Sequence, residues 1–180
     1  MRKQSRTQNI TKTETINTEG LSMGYRKAGT GSVGVICIHG WMMNGDVFNP
    51  ILDSLKSDET TVLVPHQRGS VADTHGAAEF SLNAYVDDIL ALILETGLKR
   101  YVLIGHSMGG QIAQLVAARL PEKVCGLVLI NSVPLSGMQL PEDAAGMFRT
   151  SGGNREVQGQ ILGMACTNLA EDEKERLLDL

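Results

Sequence analysis

Gly105-His106-Ser107-Met108-Gly109 is the stretch whose reading decides the fold. It has the form G-x-S-x-G and stands between two segments of different character. Val102-Leu103-Ile104 reads as the end of a buried strand, and residues 110–118 read as a helix. A serine at the tip of such a strand–turn–helix corner projects its hydroxyl away from the sheet. The glycines two residues before and two after it leave room where a Cβ would meet neighbouring backbone. The helix that follows offers N-terminal N–H groups and a positive dipole end, both suited to negative charge on an oxygen. The competing reading is a glycine-rich corner in which Ser107 only caps the helix.

Outward from this corner, strands and helices alternate. Residues 100–104 and 124–130 read as strands flanking the helix at 108–119. Residues 81–95 form a helical pattern, with Leu82, Tyr85, Val86, Ile89, Leu92 and Ile93 at three- and four-residue spacing and Gly97 just past the end. Residues 60–64 are a β-branched strand, residues 47–55 a helix, and residues 34–38 an apolar run fit for a strand covered on both faces. Residues 13–18 and 21–27 make a hairpin about Glu19-Gly20. Single helices between strands imply right-handed crossovers and a mostly parallel sheet, whose reactive groups gather at the carboxyl ends of its strands. After Asn131 no strand pattern recurs: a short helix is expected near 142–149 and helix over 156–180.

The chain has 180 residues, 42% of them hydrophobic and 20% charged, which fits an α/β domain with a substantial core. Sixteen basic and 20 acidic residues leave a net charge of −4 without a basic block, so neither nucleic acid nor an anionic membrane is an expected partner. No apolar run reaches the roughly 20 residues that a membrane span needs. Cys37, Cys125 and Cys166 are far apart and lack CxxC spacing; Cys37 and Cys125 read as packing residues inside strands, and the set suits a reducing cytoplasm. No metal-ligand spacing or phosphate loop is present, so neither a metal nor a cofactor is expected.

Three landmarks in order carry a family resemblance: Val35-Ile36-Cys37-Ile38-His39-Gly40-Trp41, Gln67-Arg68-Gly69-Ser70 and Gly105-His106-Ser107-Met108-Gly109-Gly110. From about residue 21 to 131 the chain resembles the α/β-hydrolase fold superfamily, most strongly its small esterases and haloperoxidase- or perhydrolase-like members. The resemblance implies a mostly parallel sheet with flanking helices, split into a core at 1–132 with strands 1–6 and a partial helical cap at 133–180. It implies Ser107 as nucleophile, with the backbone N–H groups of Trp41 and Met108 as oxyanion-hole donors. His39, Gly40, Gly105, His106 and Gly109 are implied as structural residues beside the site. The substrate would be a small acyl compound, a carboxylic ester or a relative of one. Peroxide could replace water at the same site.

In this family the triad runs serine, then acid, then histidine along the chain. No histidine follows His106, Asn131 stands where an acid could follow the sixth strand, and Asp143, Asp172 and Asp179 follow no strand. The acid and the histidine base are therefore expected beyond residue 180, together with the last strands, and the chain reads as cut within its cap. The flank of the sixth strand would then lie uncovered, and the 180 residues alone would be weakly active or inactive. His39 is expected to order the oxyanion turn. His66 replaces the family's usual aspartate and is expected at the pocket rim or in solvent, and His75 is expected to be exposed. The rival function is a catalytically inactive hydrolase-fold fragment or a module that binds a small ligand.

Overall fold

The computed structural model describes residues 12–18, 21–55, 57–71, 79–166 and 168–179. Six strands form one sheet: β1 (Lys12–Thr18), β2 (Leu21–Ala28), β3 (Val33–Ile38), β4 (Thr60–Pro65), β5 (Arg100–His106) and β6 (Val124–Ile130), in the order β1-β2-β4-β3-β5-β6. β1, β2 and β4 pair antiparallel, whereas β4, β3, β5 and β6 run parallel. From β3 the chain crosses to β4 on one side and then returns to place β5 on the other. Sheets of this kind hold their ligands at such a reversal, outside the carboxyl ends of the strands, here those of β3 and β5. His39 follows β3 directly and Ser107 follows β5 directly.

The alternation of β3 sorts the core. Ile36 and Ile38 face one cluster with Val86, Ile89, Ile93, Tyr101, Leu103, Ile112 and Val116, contributed largely by α2 (Leu82–Thr96) and α3 (Met108–Arg119). Val35 and Cys37 face the other cluster with Phe48, Leu52, Val62, Val64 and Ile104, on the side of α1 (Asn49–Leu55). Helices thus cover both faces of the central strand, and its apolar run follows from that. Full burial of one such aliphatic side chain contributes roughly 1.5–3 kcal/mol. Ser81 caps α2 by accepting from the Ala84 N–H, and Gly97 ends it in the left-handed conformation.

Cys37 is buried in this core, as the sequence suggests, and burial pushes its thiol up to about 12. Cys125 differs: it lies exposed on β6, its Sγ donating to the Tyr101 carbonyl at 3.3 Å. The reason is that among the described residues β6 stands at the edge of the sheet, with β5 its one neighbour. Leu127, Val128, Leu129 and Ile130 are 37–46% exposed and alternate between both faces of that edge.

The chain divides into two compact units, Met1–Leu135 and Ser136–Leu180. The second holds α4 (Glu142–Thr150), α5 (Arg155–Ala165) and α6 (Glu171–Leu178). The helix expected over 156–180 is therefore two helices. Asn168 adopts φ +65°, which a helix cannot continue through, and Glu171, Asp172 and Glu173 favour a fresh N-terminus by facing its dipole. Arg155 at the start of α5 reaches Glu175 at 2.6 Å and Asp179 at 2.9 Å, which sets α5 and α6 antiparallel. Among the described residues, no helix is long and apolar enough to cross a membrane.

Candidate active site

Ser107 stands between the last residue of β5 and the first of α3, with φ +54° and ψ −121°. That backbone is costly for a residue with a Cβ, on the order of 1–3 kcal/mol, and persists only where its surroundings enforce it. Three hydrogen bonds do so. The Ser107 N–H donates to the Ile130 carbonyl at 3.0 Å, and the Ser107 carbonyl accepts from Gly110 N–H at 3.0 Å and Val133 N–H at 3.1 Å. Its side chain makes no capping hydrogen bond to α3. Helix capping therefore does not account for the serine.

The two motif glycines are demanded by space. A Cβ on Gly105 would lie 2.4 Å from the Gly109 oxygen, and one on Gly109 would lie 2.2 Å from the Ile38 oxygen and 2.4 Å from the His39 oxygen. Helix α3 thus starts in direct contact with the end of β3. Gln114 reinforces the corner from within α3: its Nε2 donates to Gly110 O, Ser132 Oγ and Val133 O at 3.0–3.2 Å, joining the helix to the segment after β6.

The turn after β3 comes against the serine. A Cβ on Gly40 would sit 3.1 Å from Ser107 Cβ and 3.0 Å from His106 Nδ1. Trp41 follows with 37% of its surface exposed, and Met42 holds φ +59°. Met108 is the first residue of α3, a position whose N–H has no acceptor within the helix. His39, Gly40, Trp41, Gly105, His106, Ser107, Met108 and Gly109, all singled out in the sequence, therefore meet at one end of the sheet.

His39 is 2% exposed and bonded on both ring nitrogens. Its Nδ1 lies 2.8 Å from Gly40 O, and its Nε2 accepts from the Gln67 N–H at 3.1 Å. Burial, with His66 and His106 nearby, lowers its pKa to about 4 against the pull of the Gly40 bond, so the ring is neutral at pH 7. His66 is half-buried, and its Nδ1 accepts from the Gly45 N–H at 3.3 Å. His106 is half-buried too, and burial lowers its pKa. His75 lies outside the described residues. None of the described histidines is hydrogen-bonded to the Ser107 hydroxyl.

Sequence reasoning assigned no role to Gln67. Its Nε2 donates to the His39 carbonyl at 2.6 Å. The available signal was position: Gln67 lies two residues past β4, which pairs with β3 in parallel. Beside it Arg68 makes a two-pronged bond to Asp88 of α2, Nε to Oδ2 at 2.8 Å and Nη2 to Oδ1 at 2.7 Å, and donates to Glu79 O at 2.6 Å. Burial raises the Asp88 carboxyl above its usual range, and the Arg68 contact offsets part of that rise. No group of three metal-ligating side chains occurs among the described residues.

Residues 34–155 match the profile of the alpha/beta hydrolase fold family. A serine hydrolase-like protein of Danio rerio is 30% identical over 146 residues, which is 79% of this chain and 41% of that protein. A pimeloyl-[acyl-carrier protein] methyl ester esterase of Aliivibrio salmonicida is 28% identical over 151 residues, 84% of this chain and 51% of the esterase. The chain thus spans about half, or less, of the length of these curated relatives. Among solved structures, an N-acyl homoserine lactone degrading enzyme superposes with a TM-score of 0.78 at 23% identity, over 92% of this chain and 62% of its own.

Proposed function

The chain belongs to the alpha/beta hydrolase fold family, and on that premise we propose that it serves hydrolysis of a carboxylic ester or a related small acyl compound, with Ser107 as nucleophile. The observation that carries this reading is the strained Ser107 backbone, held by three hydrogen bonds while the side chain caps nothing. A strain cost of that size is maintained where a fold needs the side chain presented. The relatives named as an esterase and a serine hydrolase-like protein favour the same chemistry.

In this reading the Ser107 oxygen attacks the acyl carbon and its proton passes to a base. The carbonyl oxygen gains the charge, and the Trp41 and Met108 N–H groups stabilise it; one such donor is typically worth about 10²–10³ in rate. The C–O bond to the alcohol then breaks, the alcohol leaves with the proton, and water attacks the acyl-enzyme to return the serine. The family's chain order of serine, acid and histidine assigns the base and its acid partner to polypeptide outside these 180 residues.

The second reading is a hydrolase-fold module that binds a small ligand without turnover. One experiment separates the two. Turnover of a short p-nitrophenyl ester is compared between the protein as its native cell makes it and its Ser107→Ala form. A loss of at least a hundredfold supports the hydrolase; equal rates refute it.

A further inference from the structure

We propose that Gln67 is a positioning residue for the oxyanion-hole donor of Trp41, acting through His39; the inference rests on the hydrolase reading above. Gln67 grips His39 twice. Its backbone N–H donates to His39 Nε2 at 3.1 Å, and its side-chain amide donates to the His39 carbonyl at 2.6 Å. Gln67 is itself held, because its carbonyl accepts from both the N–H and the hydroxyl of Ser70, at 3.0 and 2.7 Å.

The first grip selects the ring tautomer. A backbone N–H can only donate, so His39 Nε2 is the acceptor and the single proton of the neutral ring sits on Nδ1. Nδ1–H then donates to Gly40 O at 2.8 Å. Gly40 O and the Trp41 N–H belong to one planar peptide unit, trans like every described peptide bond. Fixing the carbonyl therefore fixes the N–H in the opposite direction. The second grip holds the other end of the same turn. The His39 carbonyl is trapped between Gln67 Nε2 and the backbone of α3, to which Gly109 allows close approach.

A purely stabilising role fits Gln67 poorly. The residue is 2% exposed, and its Oε1 has no hydrogen-bond partner among the described residues. A buried, unpaired acceptor is a cost, and a leucine of similar size would avoid it. What leucine cannot supply is the N–H on the His39 carbonyl. A 2.6 Å contact also fixes the orientation of the amide, since the flipped form would set two oxygens against each other.

The test uses Gln67→Leu and the isosteric Gln67→Glu in the protein as its native cell makes it. The first readout is NMR of the His39 ring nitrogens and the Trp41 amide. The native ring is expected to carry its proton on Nδ1, and the Trp41 amide signal is expected to shift in Gln67→Leu. The second readout is the rate at which a fluorophosphonate labels Ser107. Gln67→Leu is expected to label at least tenfold more slowly while its melting temperature stays within a few degrees of native. Gln67→Glu is expected to lose most at high pH, where an ionised carboxylate would face the His39 oxygen, and to recover towards the native rate as pH falls and its O–H can donate. Melting temperature alone would not produce that pH-dependent rescue. A ring proton on Nε2, or native labelling by a folded Gln67→Leu protein, overturns the proposal. If native protein fails to label, the hydrolase reading is what falls; an unshifted Trp41 amide in Gln67→Leu then overturns the positioning role on its own.

Discussion

Gly40 lies directly against Ser107: a Cβ on the glycine would come within 3.1 Å of the serine's own Cβ. The turn that ends β3 and the corner that ends β5 are thus one structure, built from neighbouring parallel strands. Gly40→Ala is expected to cost about 1–3 kcal/mol as a small overpacking. Its larger effect is expected on reactivity, because the displaced neighbours are Ser107 and His106. Fluorophosphonate labelling should fall about tenfold or more in protein that remains folded by circular dichroism.

Gly109→Ala meets a harder obstacle, since the new methyl would lie 2.2 Å from the Ile38 oxygen and 2.4 Å from the His39 oxygen. Backbone at the end of a central strand cannot yield as a side-chain tip can. A loss of at least 3 kcal/mol is expected, of the scale of severe core mutations. Urea denaturation measures it, with Gly163→Ala as the control, where no atom lies within 4 Å of the added Cβ.

Arg68 and Asp88 join the loop after β4 to α2, with side chains only 11% and 5% exposed. Removing one partner strands the other charge in a dry site, so Arg68→Ala is expected to destabilise by about 3–5 kcal/mol. Arg68→Met combined with Asp88→Leu should recover much of that loss. Chemical denaturation of the single and double variants tests both statements.

The burial of His39 makes stability depend on pH. Its pKa falls from an ordinary value of 6.5 to about 4 in the folded chain. Between those values the unfolded chain binds a proton that the folded chain refuses. Stability is therefore full above pH 6.5, drops as the pH falls to about 4, and loses about 3 kcal/mol to this residue across the window. His106, lowered in the same direction by burial, adds to the slope. Thermal melts from pH 4 to 7.5 should show the decline, and His39→Asn should flatten it.

In the 180-residue chain Leu127 to Ile130 lie exposed along β6, with neither lysine nor proline among them. Such edges pair with other chains. Leu129→Lys in the 180-residue chain is expected to reduce light scattering at high concentration by severalfold, with little change in melting temperature.

The strand–helix alternation and the meeting of His39-Gly40-Trp41 with the Ser107 corner were legible because each is written locally. Apolar runs mark β3 and β5, and glycine marks the places where backbones touch. The uncovered flank of the sixth strand was legible from the missing strands, but the exposure of Cys125 on it was not, because a thiol in an apolar strand reads as packing. The break between α5 and α6 was hidden by continuous helical propensity, with Asn168 its single backbone marker. Gln67 was hidden for another reason: its contact with His39 spans 28 residues and exists only because β4 lies beside β3.

Ser107 as nucleophile makes a chemical demand that can be measured on the residue. Its most direct measurement is peptide mapping by mass spectrometry after exposure of the native-source protein to a fluorophosphonate. One adduct is expected, on Ser107, and it disappears in Ser107→Ala. An unlabelled protein, or labelling that persists at the same level in Ser107→Ala, would contradict it.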